Sequence, residues 1–252
     1  MRVTLLGTGG PLRHDRARLG ILVDAEDCSP VLIDTCGGFE LVQRLHHAGY
    51  AIDDLTDVIV THRHGDHIGG SMALLMQERP RRFYGPADAV SAVEELAKVT
   101  FPERGLSREV ALSAVFPGGT YEVGGFSISF FEAQHRVPTY AVRMQLKDRV
   151  FAYSSDSLPC AAVVECATDA DLFVCDALGS TDEGEHRLAR LRTLMHPSAY
   201  EAGAMAAQAK VKTLALVHFG TNAEAGRMIA DASMSFNGRI LAPDDGDSFL
   251  LE

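Results

Sequence analysis

The stretch Thr61-His62-Arg63-His64-Gly65-Asp66-His67-Ile68-Gly69-Gly70 follows directly after the apolar run Val58-Ile59-Val60. A run of β-branched residues that ends in polar side chains is typical of a buried strand that presents functional groups at its C-terminal end. This stretch therefore predicts both a central strand and the place of a site.

The spacing inside the stretch indicates two metal positions. His62 and His64 are two residues apart, so an extended backbone directs both imidazoles to the same side. The chain then turns, and Asp66 and His67 stand where a helix could begin. Two imidazoles could hold one cation, while the adjacent carboxylate and the third imidazole hold another.

Composition sets the broad class. The chain has 252 residues, of which 46% are hydrophobic and 23% charged, as in an ordinary globular protein. The net charge of −11 argues mildly against a large polyanion as partner. No apolar run reaches about eighteen residues, so no membrane span is expected. The five cysteines are scattered and form no CxxC pair, which predicts reduced thiols and a cytoplasmic protein.

Apolar periodicity predicts one domain over residues 1–252, with two β-sheets that face each other and helices outside. Residues 101–119 are expected to be irregular, and residues 182–186 to form an exposed loop. The predicted strands are 3–6, 19–24, 30–34, 58–60, 82–84, 121–123, 126–131, 140–146, 150–153, 172–175, 213–217 and 248–251, and the predicted helices are 39–48, 72–77, 87–98, 158–167, 198–210 and 223–232.

Three later residues follow predicted strands in the same way as the opening cluster. His135, Asp156 and His218 each come just after an apolar run. A single histidine after a strand is more often structural than a ligand. Because strand ends on one edge of a layered fold converge, three such residues together with the cluster favour a shared metal site.

The cluster matches the HxHxDH signature of the metallo-β-lactamase superfamily, and the resemblance extends through nearly the whole chain. It implies the α/β class, with a four-layer αββα sandwich and a dinuclear metal site at one edge of the sheets. Asp34 resembles the acid of the family's first motif, and we expect it to fix a ligand histidine through the free ring nitrogen. By this resemblance the first metal is held by His62, His64 and His135, the second by Asp66, His67 and His218, and Asp156 bridges both.

Within the superfamily the chain is most similar to the ribonuclease Z-like branch. The segments that carry this resemblance are Leu6–Gly10, Tyr84–Pro86, His135–Tyr140 and His196–Ala202. In that branch a histidine at the place of His196 lies near the metals and donates a proton. The alternative for His196 is a helix-start residue with a local hydrogen bond.

Two departures from that branch bear on the substrate. Only the twenty residues 136–155 separate the third and fourth motifs, whereas bacterial tRNA-processing members insert a long basic, glycine-rich arm there. The usual Ser-Thr or Met-Thr pair is also missing after His196. Together with the acidic balance, these departures favour a small-molecule substrate over a nucleic acid.

We therefore predict a metal-dependent hydrolase that acts on a small phosphodiester. Imidazole and carboxylate ligands suit zinc, with manganese or iron as alternatives. Asp66 could also orient the attacking water. The alternatives are hydrolysis of a carboxylic ester, lactone, thioester or sulfate ester, ribonuclease Z-type RNA processing, and a non-catalytic metal-binding module. Relatives in this branch are often dimers, so a homodimer is expected.

Four further polar residues allow two interpretations each. Asp176 ends a predicted strand, where it could support His196 or a metal ligand, or be a structural carboxylate. His14, Arg16 and Arg18 follow the first glycine turn, where they could contact an anionic substrate or belong to a solvated loop.

Overall fold

Fourteen strands and eight α-helices make up the computed structural model, which describes residues 1–252. The strands are β1 (Arg2–Gly7), β2 (Gly20–Asp24), β3 (Val31–Ile33), β4 (Asp57–Ile59), β5 (Arg81–Gly85), β6 (Val110–Ala114), β7 (Thr120–Val123), β8 (Phe126–Glu132), β9 (Tyr140–Leu146), β10 (Arg149–Tyr153), β11 (Leu172–Asp176), β12 (Thr213–Val217), β13 (Arg239–Leu241) and β14 (Ser248–Leu250). The helices are α1 (Glu40–His47), α2 (Gly65–Ile68), α3 (Ser71–Leu75), α4 (Ala87–Thr100), α5 (Ala161–Ala167), α6 (Glu185–Leu194), α7 (Ala199–Ala209) and α8 (Ala225–Ser233).

The strands form two seven-stranded sheets. The first has the order β14-β1-β2-β3-β4-β5-β6, and the second the order β13-β12-β11-β10-β9-β8-β7. Strands β3 to β6 run parallel to one another, as do β10 to β13. The carboxyl ends of the parallel strands in each sheet therefore lie along one edge of that sheet.

Three apolar clusters stack the layers. Strand β2 shows the principle, because Ile21 and Val23 enter the cluster between the two sheets while Leu22 points to the opposite face. There Leu22 joins a cluster with α1, α3 and α4, and a third cluster packs α5, α7 and α8 on the second sheet. This alternation confirms the predicted four-layer αββα sandwich. None of the helices combines the length and the apolar character that a membrane span requires.

Two predictions of local structure were wrong. Residues 101–119, expected to be irregular, contain the edge strand β6, none of whose side chains is fully buried. Residues 182–186, expected to be an exposed loop, belong to a 3₁₀ turn (Thr181–Glu183) and to the start of α6. Only Leu191 of α6 is buried, so this helix lacks the apolar stripe by which helices are recognised. The short strand β13 was also missed.

The glycine pair at the end of the opening stretch holds the loop after β3 against the histidine cluster. A Cβ on Gly70 would overlap the carbonyl oxygen of Thr35, so the two segments can approach this closely only when residue 70 has no side chain. The backbone N–H and the hydroxyl of Thr35 both donate to the carbonyl of His67, at 2.6 and 2.8 Å. This contact fixes Asp34, the preceding residue, beside the cluster.

We expect Gly70→Ala to lower the free energy of unfolding by about 3 kcal/mol, because the added methyl group forces the two segments apart. The matched control is Gly226→Ala in α8, where a Cβ meets nothing within 4 Å. That control should raise stability by about 0.5–1 kcal/mol through helix propensity. Urea unfolding of both metal-free variants makes the comparison, and equal stability of the two would contradict this packing argument.

Candidate metal centre

One group of metal-binding atoms gathers at the end of β4 with residues from the second sheet. His62 Nε2 lies 3.0 Å from His64 Nδ1, which in turn lies 3.3 Å from His135 Nε2. Asp156 Oδ2 lies 3.6 Å from His62 Nε2 and 3.8 Å from His135 Nε2. The four atoms all lie within 4.8 Å of one another, so this group could hold a metal ion.

A second group lies on the other side of the same carboxylate. Asp66 Oδ2 is 3.6 Å from His67 Nε2 and 3.4 Å from His218 Nε2. Asp156 stands between the two groups, with Oδ1 3.4 Å from His67 Nε2 and Oδ2 3.7 Å from His218 Nε2. All seven residues that the sequence nominated as ligands therefore meet in one place, in the predicted division into two groups.

Two buried atoms of this cluster lack a partner in the protein and are suited to coordinate a metal ion. His67 Nε2 and Asp156 Oδ1 are buried and have no hydrogen-bond partner. Buried polar atoms are rarely left in this state, because the loss of water is then uncompensated. A divalent cation coordinated by both atoms would satisfy them, and the set of imidazoles and carboxylates suits zinc, manganese or iron.

Asp34 lies fully buried behind the cluster and orients histidines of both groups. Its Oδ2 accepts from His67 Nδ1 at 2.7 Å and from the hydroxyl of Thr61 at 2.9 Å. The Thr61 hydroxyl oxygen lies 3.2 Å from His62 Nδ1 and also accepts from the hydroxyl of Ser155 at 2.7 Å. These contacts engage the Nδ1 atoms of His62 and His67 and leave their Nε2 atoms for the candidate metal groups.

The two oxygens of Asp176 face two histidines, which favours the supporting role over a purely structural one. Oδ2 accepts from His196 Nδ1 at 2.7 Å, and Oδ1 lies 3.3 Å from His218 Nδ1. One carboxylate at the end of β11 therefore fixes the ring of His196 by a hydrogen bond, and its second oxygen faces His218 at an ion-pair distance. A lone carboxylate after a strand carries no spacing signal, so the sequence could not distinguish this role from a structural one.

His196 lies beside the metal groups rather than within a purely local hydrogen bond. Its ring stacks on that of His218, with 4.9 Å between the centroids and 21° between the planes. The side chain lines an open cleft of about 280 Å³ together with His64, Asp66 and Asp156. Since Asp176 holds Nδ1, Nε2 is the ring nitrogen of His196 that remains for the cleft.

Three strand ends reach the site through left-handed backbone conformations. Asp34 follows β3 with φ 55°, Ser155 follows β10 with φ 54°, and His218 follows β12 with φ 62°. Non-glycine residues adopt such angles at a cost, and they concentrate at functional sites. Here the turn redirects each side chain from the sheet towards the junction of the two sheets.

The carboxylates divide the histidines into two electrostatic classes. Burial lowers the pKa of His62, His64 and His135, so these rings are neutral at pH 7 and ready to bind a metal. Burial also acts on His67 and His218, but the surrounding carboxylates outweigh it. They raise the pKa of His67 well above its usual range and that of His218 to about 10.

The cleft also contains residues that the sequence did not nominate. Arg136, which follows a candidate ligand directly, lines the cleft with Pro11 and Leu194. Arg16, in contrast, is bound within the protein and does not extend into solvent. Its guanidinium donates to the Thr8 hydroxyl and to the carbonyl of Pro243, both at 2.6 Å, and is largely buried.

Comparison with known proteins agrees with this geometry. The family model of the beta-lactamase superfamily domain matches residues 29–219, so the chain belongs to that superfamily. A protein named Ribonuclease Z from Haloarcula marismortui is 27% identical, with 98% of this chain and 95% of that protein covered.

Two solved structures share the fold. The metallo-beta-lactamase fold protein YhfI from Bacillus subtilis has a TM-score of 0.83 and 23% identity, with 99% of each chain covered. The short form of human tRNase Z has a TM-score of 0.77 and 18% identity, with 100% of each chain covered. The superfamily membership and the homologues named Ribonuclease Z identify the protein as a metal-dependent hydrolase that resembles ribonuclease Z.

We expect metal uptake to release protons, because the raised pKa values keep His67 and His218 protonated at neutral pH in the metal-free protein. The apparent zinc affinity should rise about tenfold per pH unit for each proton displaced, throughout the range from about pH 6 to pH 8. Competition with a chelator at several pH values measures this slope.

The variant His218→Ala should reduce the slope by one proton, whereas His14→Gln, a change at an exposed histidine, should leave it unchanged. Histidines with an ordinary pKa of about 6.5 would give an affinity that levels off above about pH 7. That outcome would contradict the electrostatic division described above.

Proposed function

We propose that this superfamily member hydrolyses a phosphodiester of modest size and that two divalent metal ions, zinc in the first instance, act at the junction of its sheets. The observation that carries this proposal is the convergence of two donor groups on Asp156, with His196 in the wall of the same cleft. The first ion would be held by His62, His64 and His135, the second by Asp66, His67 and His218, and Asp156 would bridge them.

When bound, such ions would lower the pKa of a coordinated water molecule to near neutrality and would polarise an oxygen of the substrate. The chain's own residues supply orientation and proton transfer. Asp66 has a second carboxylate oxygen besides the Oδ2 atom that faces His67 and His218, and this oxygen could accept a hydrogen bond from the attacking water and align it.

His196 is the proposed general acid. Its Nδ1 donates to Asp176 Oδ2, so a proton on Nε2 faces the cleft whenever the ring is cationic. Asp176 holds the ring in this orientation through that hydrogen bond, in the way a carboxylate orients the histidine of a catalytic triad. A leaving alkoxide released at the metal groups could take this proton, which is typically worth about 10²–10⁴-fold in rate.

The size of the substrate is inferred from the segment between the third and fourth motifs. This segment contains the β9–β10 hairpin, in which Leu146 pairs with Arg149 around a tight turn. Nothing in it resembles the long basic arm of the tRNA-processing enzymes. RNA processing is the second candidate, favoured by relatives named Ribonuclease Z that match 98% of the chain. Ester, lactone, thioester or sulfate ester hydrolysis would use the same groups.

A substrate panel tests the proposal directly. We expect the zinc-loaded protein to hydrolyse bis(p-nitrophenyl) phosphate, with little or no turnover of p-nitrophenyl acetate, p-nitrophenyl sulfate and simple lactones. Asp66→Ala and chelation should each abolish the activity. Preference for an ester, a sulfate or a lactone would reject a phosphodiesterase, and efficient cleavage of a precursor tRNA alone would establish RNA processing instead.

We expect His196→Ala to lower kcat by about 10²–10⁴-fold for a substrate with a poor leaving group, while KM and bound zinc remain nearly unchanged. The p-nitrophenolate leaving group needs no proton, so the same variant should lose much less activity on bis(p-nitrophenyl) phosphate. Equal losses on both substrates, or loss of zinc measured by metal analysis, would assign His196 a structural role.

A further inference from the structure

A small cavity adjoins the metal cleft at its mouth. It has a volume of about 80 Å³ and shares Pro11 and Leu194 with the wall of the cleft. Leu12 and Leu178 form an apolar side, and Arg187 and Arg190 supply the only charged side chains of the lining. A group in this cavity is therefore next to whatever occupies the metal cleft.

The cationic side of the cavity is one face of α6. Arg187, Arg190 and Leu194 are spaced i, i+3 and i+7, which places them in a row along a helix. Arg192 lies on the same helix but lines a different cavity, beside Tyr200 and Glu201. The helix therefore offers two arginines to the cleft mouth and one to the opposite side.

Arg187 is held in a defined orientation with donors to spare. Its Nε donates to Glu183 Oε2 at 3.0 Å, and the other oxygen of Glu183 accepts from the backbone N–H of Ser180 at 2.9 Å. The two terminal amino groups of Arg187 have no acceptor in the protein. A Cβ on Gly220 would lie 2.7 Å from Nη2, so the bare backbone two residues after His218 leaves room for this guanidinium.

Arg13, in the neighbouring loop, uses its donors within the protein, whereas Arg190 does not. Arg13 Nη1 donates to the carbonyls of Gly220 at 3.0 Å and of Ala223 at 2.7 Å, and the same side chain pairs with Asp15. Arg190 is exposed and makes neither a salt bridge nor a side-chain hydrogen bond. The donors of Arg13 are thus used within the protein, while Arg187 and Arg190 keep donors for a ligand.

The chemistry of the lining selects an anion. The cavity carries two guanidinium groups and no carboxylate, in a chain whose net charge is −11. Guanidinium groups recognise phosphate through paired N–H donors. The cavity has a volume of about 80 Å³ and is open on one side, so a phosphate group can enter it from the cleft mouth.

We infer that this cavity, the arginine subsite, binds a second phosphate group of the substrate, one nucleotide step from the phosphodiester at the metal groups. The inference rests on the proposed function, because it assigns the substrate of that cleft to short nucleotides that carry a further phosphate. Arg190 and Arg187 are the residues that determine this specificity, and the apolar side packs against the adjoining sugar.

Binding of nucleotides to the zinc-loaded protein tests the inference without turnover. Adenosine 3′,5′-bisphosphate, with two phosphates one step apart, should bind about 10- to 100-fold more tightly than either adenosine monophosphate by isothermal titration calorimetry. Arg190→Ala should reduce that ratio to about threefold or less, and Arg190→Lys should retain part of it because only the charge remains.

The matched control is Arg192→Ala, which removes the same charge from the same helix and should preserve the ratio. The inference is overturned if the wild-type protein binds bisphosphate and monophosphate equally, or if Arg192→Ala lowers the ratio as much as Arg190→Ala does. Thermal unfolding of each variant identifies a loss that comes from misfolding, and Arg190→Lys then decides the question.

The two proposals can fail separately. A protein that cleaves bis(p-nitrophenyl) phosphate but shows no preference for the bisphosphate retains the proposed function and loses the arginine subsite. A protein that prefers the bisphosphate but hydrolyses no phosphodiester retains the subsite and loses the proposed function. A comparison of a 5′-phosphorylated dinucleotide with a short RNA separates a small substrate from the end of a larger one.

Discussion

Buried negative charge is the constraint on which the site depends. Asp34, Asp156 and Asp176 are almost entirely removed from solvent, and Asp66 is only slightly exposed. A carboxylate in such a place is tolerated only when charge or hydrogen bonds compensate for the lost water. Each of the four lies against one or more histidines. The charge balance of this region is thus completed by cations, whether they are protons on imidazoles or metal ions.

Hydrogen bonds around the same site join the two sheets. Tyr153 at the end of β10 donates to Asp34 after β3 at 3.3 Å, and Ser155 donates to Thr61 after β4 at 2.7 Å. The metal-binding atoms are divided in the same manner, with His135, Asp156 and His218 supplied by the second sheet. A cation bound here is therefore a cross-link between layers, and its binding free energy adds to the stability of the sandwich. That gain would offset the conformational cost of the left-handed residues at three strand ends.

The sequence predicts those features of the protein that depend on apolar periodicity or on the spacing of a motif. Buried strands such as β12 read as apolar runs, and the residues that follow them were correctly expected to converge. The role of Asp176 depends on the histidines that reach it from the segment after α6 and from the end of β12, and no local sequence pattern indicates such contacts. Helix α6 was missed because its burial is confined to Leu191, so charged side chains occupy nearly every other position. The cavity-facing position of Arg187 and Arg190 could not be predicted for the same reason, because both lie on α6.

Helix α6 adjoins both the candidate metal centre and the proposed arginine subsite. The helix ends at Met195, whose left-handed conformation (φ 65°) turns the chain into His196. The carbonyl of Met195 accepts from His135 Nδ1 at 3.3 Å, and the N–H of His196 donates back to Leu191. One helix thus adjoins His135, leads directly into His196 and presents Arg187 and Arg190 to the cavity beside the cleft. Under the proposed function, a shift of α6 would therefore move the arginine subsite and His196 together, because both are attached to this one helix.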